Sequence, residues 1–253
     1  MDLAKRRIRL DLCFNGRAFE GWQSQPHGKT VQDTLEKALR EMTQEELRVI
    51  GCSRTDSGVH ALHYVAHFNT RSQIPTPGFT AGLNSLLPES IAVLETADVP
   101  GEFHARESVR EKTYRYEILN RRVRDPLCFD RVWQIFDPLN FEAMARAAQD
   151  LQGEHDFSCF RAADDVKPNA VRTLSTCRLS QKSAPFGGTE IHVEVRARGF
   201  MKYMVRNIVG TLVEVGRGRR TSESMPALLA SKDRTKAGAT APAAGLYLVK
   251  VDY

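Results

Sequence analysis

The sequence predicts an α+β fold built from two halves of similar element order. Three observations carry this: short stretches in which apolar residues alternate with polar ones, amphipathic segments of helical period between them, and the order β-α-β-β-α-β in the first half, loosely echoed in the second. That order is the split βαβ, or ferredoxin-like, unit, whose antiparallel sheet carries helices on one face and leaves the other free for a partner. The expectation is two ferredoxin-like (RRM-like) halves, residues 1–105 and 106–253, forming an extended mixed or antiparallel sheet with a central cleft.

Ile8, Leu10, Leu12 and Phe14 alternate with Arg9, Asp11 and Cys13, the pattern of a strand with one buried face. After the polar loop from Gly21 to Lys29, Thr30 is placed to cap a helix whose stripe is Val31, Leu35, Leu39 and Met42. Leu47 to Cys52 reads as a short strand, and Ala61 to Asn69 as a longer one. Pro77 to Leu87 is expected to be a helix and Ile91 to Leu94 a strand.

In the second half, Lys112 to Leu119 is expected as a strand, and Phe141 to Leu151 as a helix closed by Gly153. Two strands follow, Leu174 to Leu179 and Glu190 to Ala197. Met201, Met204, Val205, Ile208, Leu212 and Val215 then mark a helix with Gly216 at its C′ position, and Leu246 to Tyr253 a final strand. No Pro/Gly/Ser linker marks a boundary between the halves.

The 253 residues contain no run of about 20 apolar residues, as a membrane-spanning helix requires. Arg9 and Asp11 interrupt any apolar core of a signal peptide behind Lys5, Arg6 and Arg7, so a cytoplasmic protein is expected, with no membrane partner. Five cysteines without a Cys-x-x-Cys pair read as reduced, mostly buried thiols. The net charge is only +5, but Arg196 to Arg220 holds seven basic residues against Glu214 alone. Concentrated charge of this kind is a footprint for phosphate backbones, and equally that of a solvated face.

The densest set of chemically able groups is Ser53-Arg54-Thr55-Asp56-Ser57-Gly58-Val59-His60, held between two apolar strands. A carboxylate there can act as nucleophile or general base, while Asp and Ser before Gly also make an ordinary turn. His60, His63 and His67 invite a zinc reading, but no carboxylate or thiol at suitable spacing completes a shell, so no metal is expected. Cys52 reads as packed.

Arg54-Thr55-Asp56-Ser57-Gly58-Val59-His60-Ala61 resembles the Arg-Thr-Asp-Ala-Gly-Val-His signature of the tRNA pseudouridine synthase A family. Gly21-Trp22-Gln23-x-Gln25 with Thr30-Val31-Gln32, Lys112-Thr113-Tyr114-Arg115-Tyr116, Met204-Val205-Arg206-Asn207-Ile208-Val209-Gly210 and Gly245-Leu246-Tyr247-Leu248 are similar to further segments of that family, in order along the chain. Ser53 and Ser57 stand where Gly and Ala are usual.

The resemblance implies isomerisation of uridine to pseudouridine in the anticodon stem-loop of tRNA, by a homodimer without metal or cofactor. It implies Asp56 as the catalytic aspartate, Arg206 as its paired arginine, Tyr114 as the aromatic residue near the target base, Arg54 at the opened RNA and Leu246 beside the substrate. Lys202, Arg217, Arg219 and Arg220 are the expected contacts to the RNA backbone. By periodicity alone Tyr114 is a core residue and Arg206 a phosphate contact or a solvated arginine. The reading from another class is a non-catalytic, two-module binder of structured RNA.

Overall fold

The computed structural model describes residues 5–165 and 169–253, and the chain divides into two compact units. One comprises residues up to Arg110 together with Tyr247–Tyr253; the other runs from Glu111 to Leu246.

The first unit holds β1 (Arg6–Phe14), α1 (Val31–Thr43), β2 (Ile50–Gly51), β3 (His60–Thr70), α2 (Thr76–Leu86), β4 (Ile91–Val99) and β10 (Leu246–Asp252). Its sheet runs β4-β1-β3-β10, with β2 also paired to β3. β1 lies antiparallel between β3 and β4, with Leu10 opposite Ala66 on one side and Thr96 on the other. Residues opposite one another share a face, so Ile8, Leu10 and Leu12 join Tyr64, Ala66 and Phe68 on one buried side. The helices cover that side with Val31, Leu35, Leu39, Phe79 and Leu83, and Phe79 meets Phe68 edge to face at 5.4 Å. Thr30 caps α1 as expected, its side chain accepting the Asp33 N–H.

The opposite face carries polar side chains. Arg9 Nη2 and His63 Nε2 both reach Asp11 Oδ1, at 2.6 and 2.8 Å. Burial opposes ionisation of Asp11, but the hydrogen bonds from His63 and Arg9 outweigh it and hold the carboxyl below its usual range. His67 is buried beside them, its Nδ1 accepting the Ala105 N–H at 3.1 Å.

The second unit holds β5 (Glu111–Asn120), β6 (Trp133–Ile135), α3 (Phe141–Gln149), β7 (Gly153–Asp156), β8 (Val171–Ser183), β9 (Thr189–Ala197), α4 (Met204–Gly216) and α5 (Met225–Ser231). Its strands run β5-β9-β8-β7 with antiparallel neighbours, and β6 pairs parallel with the end of β5. Tyr114, Tyr116 and Ile118 face Val195, Val193 and Ile191 in a buried layer. The other face is a lattice of ion pairs: Arg196 with Glu111, Arg115 with Glu117, Arg178 with Glu194 and Lys182 with Glu190, all at 2.7–2.8 Å.

Several elements depart from the sequence expectation. Only Ile50–Gly51 of the Leu47–Cys52 stretch pairs as a strand, because the Val49 N–H is taken by the Glu36 carboxylate at 3.0 Å. Gly153 does not close α3, which ends at Gln149; it opens β7 at φ +95°. α4 begins at Met204 because Tyr203 is left-handed, φ 62°, and it runs through Gly216. The left-handed position after it belongs to Gly218, φ 69°, whose N–H bonds Val215 O while that of Arg219 bonds Glu214 O. β6, β7 and α5 are additions. The last strand belongs to the first unit, where Tyr247 and Leu248 pair parallel with His60 and Ala61, rather than to the half from 106 to 253.

Burial, reinforced by Arg7 and His104, lowers the His67 pKa from 6.5 to about 4. The folded chain therefore binds fewer protons than the unfolded chain between those values, and stability falls as the pH drops through that window, by about 3 kcal/mol at most. His67→Asn, whose amide oxygen can still accept the Ala105 N–H, is expected to flatten this part of the stability–pH curve measured by urea unfolding.

Candidate active site

The Asp56 loop joins β2 to β3, and its shape is imposed by a second segment, Gly16 to Trp22, which follows β1. Trp22 N–H donates to Thr55 O at 3.2 Å, Gly58 N–H to Phe19 O at 3.3 Å, and Ser57 Oγ–H to the same Phe19 carbonyl at 3.3 Å. The loop closes on itself through Val59 N–H to Asp56 O, 3.1 Å, with Gly58 at φ +80°. A side chain at Gly21, where φ is +91°, would put its Cβ 2.5 Å from Thr55 O. Only glycine allows so close an approach in that conformation.

Beneath the loop, Trp22 stacks on Tyr64 at 4.1 Å, and the Tyr64 hydroxyl donates to Ser53 O. At the far end, His60 Nδ1 accepts the Gly16 N–H at 3.1 Å while its ring stacks on Tyr247 of β10 at 4.7 Å. Asp56 is thus half-buried on a loop whose backbone is bonded on both sides, and Arg54 stands exposed two residues before it. A carboxylate on so fixed a backbone can be presented to a substrate with little reorganisation.

In the second unit Tyr114 is buried in β5, its ring edge-on to Phe200 at 5.1 Å. Arg206, in the first turn of α4, donates through Nε to Ala241 O at 2.8 Å and lies over the Tyr203 ring at 4.8 Å. Its charge reaches the neighbouring Tyr116 hydroxyl, whose pKa burial raises and Arg206 counteracts. The Tyr116 hydroxyl donates to Pro242 O at 2.7 Å, and Leu246 is buried at the start of β10.

The basic run does not present all its charge outward. Lys202 Nζ pairs with Asp164 at 2.6 Å, Arg217 with Asp137 at 3.4 Å and Arg220 with Glu214 at 3.3 Å, whereas Arg198 and Arg219 are exposed. Among the described residues no group of three His, Cys, Asp or Glu is placed to hold a metal ion, and all five cysteines are free.

A family model described as tRNA pseudouridine synthase matches residues 13–106 and 147–253. The chain belongs to the tRNA pseudouridine synthase family. It is 45% identical over 248 residues to tRNA pseudouridine synthase A of Moorella thermoacetica, covering 97% of this chain and 99% of that one. It is 44% identical over 248 residues to the synthase of the same name from Thermoanaerobacter pseudethanolicus, 98% and 100% covered, and 42% identical over 247 residues to that of Myxococcus xanthus, 98% and 92% covered. The unmatched interval, 107–146, contains β5 with Tyr114, β6 and most of α3.

Sequence reasoning singled out Asp56 and Arg54 and weighed His60 only as a loop residue and a zinc candidate, but passed over Gly16 and Phe19, whose backbone atoms, with the His60 ring, shape the synthase loop. A glycine and a carbonyl used for contact leave no chemical mark in a sequence. Gly21→Ala is expected to lower synthase activity at least about tenfold, since it strains the loop by about 1–3 kcal/mol and displaces Asp56. Activity assays together with the melting temperature check this; wild-type activity would mean the contact does not set the loop.

Proposed function

We propose that this member of the family isomerises uridine in the anticodon stem-loop of tRNA, with Asp56 as the essential carboxylate, Arg206 as its ion-pair partner, Tyr114 at the target base and Arg54 at the opened RNA. The coarser statement, that the chain is an isomerase converting uridine to pseudouridine in tRNA, follows from family membership. The observation that carries the site assignment is the Asp56 loop, whose backbone hydrogen bonds to Phe19, Trp22 and Val59 hold one carboxylate in a defined place.

The reaction breaks the N1–C1′ glycosidic bond, turns the uracil, joins its C5 to the same sugar carbon, and removes the C5 proton while N1 takes one up. Atoms and electrons balance within the substrate, so the residues need supply only charge, orientation and a proton acceptor. An ionised carboxylate serves either by attacking C1′ or by stabilising an oxocarbenium-like sugar, and then by removing the C5 proton. Withdrawn from water it gains a proton unless a cation stands nearby, the role assigned to Arg206. A guanidinium held at Nε by Ala241 O and stacked on Tyr203 is suited to that task because its plane is already set.

The target base must leave its stack, at a cost of a few kcal/mol, and stacking on an aromatic ring returns about 1–3 kcal/mol. The edge-on contact with Phe200 fixes the plane of the Tyr114 ring, which supports that use of it. Arg54, exposed on the loop two residues before Asp56, supports the reading that it meets the opened RNA.

We further propose that the protein acts as a homodimer in the cytoplasm. A tRNA substrate and five free cysteines support the compartment, and no helix among the described residues is long and apolar enough to cross a membrane. The dimer reading is supported by a hollow of about 820 Å³ in the second unit, lined by Val123, Pro126, Leu127, Phe136 and Phe186. Leu127 is 82% exposed and Phe186, at the β8–β9 turn, 97% exposed. An apolar knob beside an apolar hollow allows two copies to engage the same patch reciprocally.

Asp56→Asn is expected to abolish pseudouridine formation while tRNA affinity stays within a few-fold, as read by tritium release from C5-labelled tRNA and by filter binding. Residual turnover near wild type would remove the assignment. The double variant Leu127→Glu with Phe186→Glu is expected to run as a monomer in light scattering while remaining folded by circular dichroism, and an unchanged mass would refute this interface.

A further inference from the structure

The residue that orients Arg206 does not belong to the site itself. α4 turns one polar stripe, Arg206, Asn207, Gly210 and Thr211, toward the irregular segment from residue 237 to residue 242. That segment supplies the acceptor for the Arg206 side chain: Ala241 O takes the Nε proton at 2.8 Å, while Ala241 N–H donates back to Arg206 O at 3.1 Å. Ala241 is therefore bonded to Arg206 through both its backbone groups. What holds Ala241 in place sets the direction of the guanidinium.

The segment has no ladder of its own, and its hydrogen bonds converge on one side chain. Arg234 Nη1 donates to the carbonyls of Ala237 and Gly238 at 3.3 and 3.0 Å, and its Nη2 to Asn207 Oδ1 and Thr240 Oγ1 at 3.0 and 3.1 Å. Thr240 Oγ1–H donates to the same Asn207 oxygen at 2.6 Å. Asn207, fully buried, is fixed in turn by donation from Nδ2 to Phe160 O at 2.8 Å. One turn on, Thr211 Oγ1 accepts the Gly238 N–H at 2.9 Å, and the absence of a side chain at Gly210 lets the Ala239 carbonyl lie against the helix. A planar guanidinium with its donors in a fixed fork suits this work; an ammonium cannot reach four acceptors in two directions.

We propose that Arg234, acting through Asn207, Thr240 and Ala241, is a positioning residue for Arg206, and that it keeps the catalytic carboxylate ionised at one remove. The proposal rests on the reading that Arg206 pairs with Asp56. It adds that the pairing geometry is set by the 237–241 segment and not by α4 alone. Displacement of a charged group by about 1 Å can cost about 100-fold in rate, so a loosened Ala241 has a kinetic signature.

Single-turnover rate constants across pH, with tRNA affinity measured separately, test this on the full-length protein. Arg234→Ala is expected to slow turnover at least tenfold with affinity changed less than threefold, and to move the acidic limb of the rate profile to higher pH, because a carboxylate with a misplaced cation protonates more readily. Added guanidinium is expected to restore part of the rate. Thr240→Val, which keeps Arg234 and the volume of the side chain, is expected to shift the limb the same way by a smaller amount; it decides the matter if Arg234→Ala does not fold. Arg206→Gln separates the two layers. If its acidic limb stays at the wild-type position, the pairing of Arg206 with Asp56 is overturned. If Arg206→Gln moves the limb but folded Arg234→Ala and Thr240→Val leave it in place, the pairing stands and the positioning role is refuted.

Discussion

The first unit depends on a backbone-to-backbone contact: the segment from Gly16 to Trp22 laid against the loop that carries Asp56. Carbonyls and amides do most of the holding, through Trp22 to Thr55, Gly58 to Phe19 and Val59 to Asp56, so the path of the loop is largely independent of which side chains it bears. Ser53 and Ser57 are accommodated on that path. Ser57 fits the same path and adds a bond from its hydroxyl to Phe19 O. Trp22 stacked on Tyr64 forms the floor, and His60 locks the far end against Gly16 and Tyr247.

The second unit uses a different device. Arg206 sits on a helix, a rigid element, yet its guanidinium is held by a stretch without regular structure. Such a stretch can be as exact as a helix when every polar group finds a partner, and the fully buried amide of Asn207 is the node where those bonds meet. The two units thus reach one end, a fixed charged group, by main-chain contact in one case and by side-chain anchoring in the other.

The strands and helices with clear periodicity were legible in the sequence: β9 alternates cleanly, β1, β3 and β5 do so only in part, and Thr30 announced the start of α1. What was not legible follows from tertiary competition. Val49 has strand chemistry but gives its N–H to Glu36, and the three-residue β6 is too short to show a period. Gly216 looked like a terminator, yet its missing side chain makes room for the Met144 sulfur, and Gly218 ends the helix instead. The roles proposed for Asp56 and Arg206 come only from the resemblance, since a lone carboxylate in a loop and an arginine in a basic run carry little by themselves. Arg234 and Asn207 were invisible, because their partners are carbonyls that any sequence would provide.

The paired charges on the outer sheet face of the second unit bear on how the enzyme spends its time. Arg115, Arg178, Lys182 and Arg196 each have a carboxylate within 3 Å, so cations that would otherwise attract any nucleic acid are neutralised where they stand. A surface of alternating sign casts almost no field beyond a Debye length of about 10 Å. Nonspecific adsorption of a polyanion to this face is thereby discouraged.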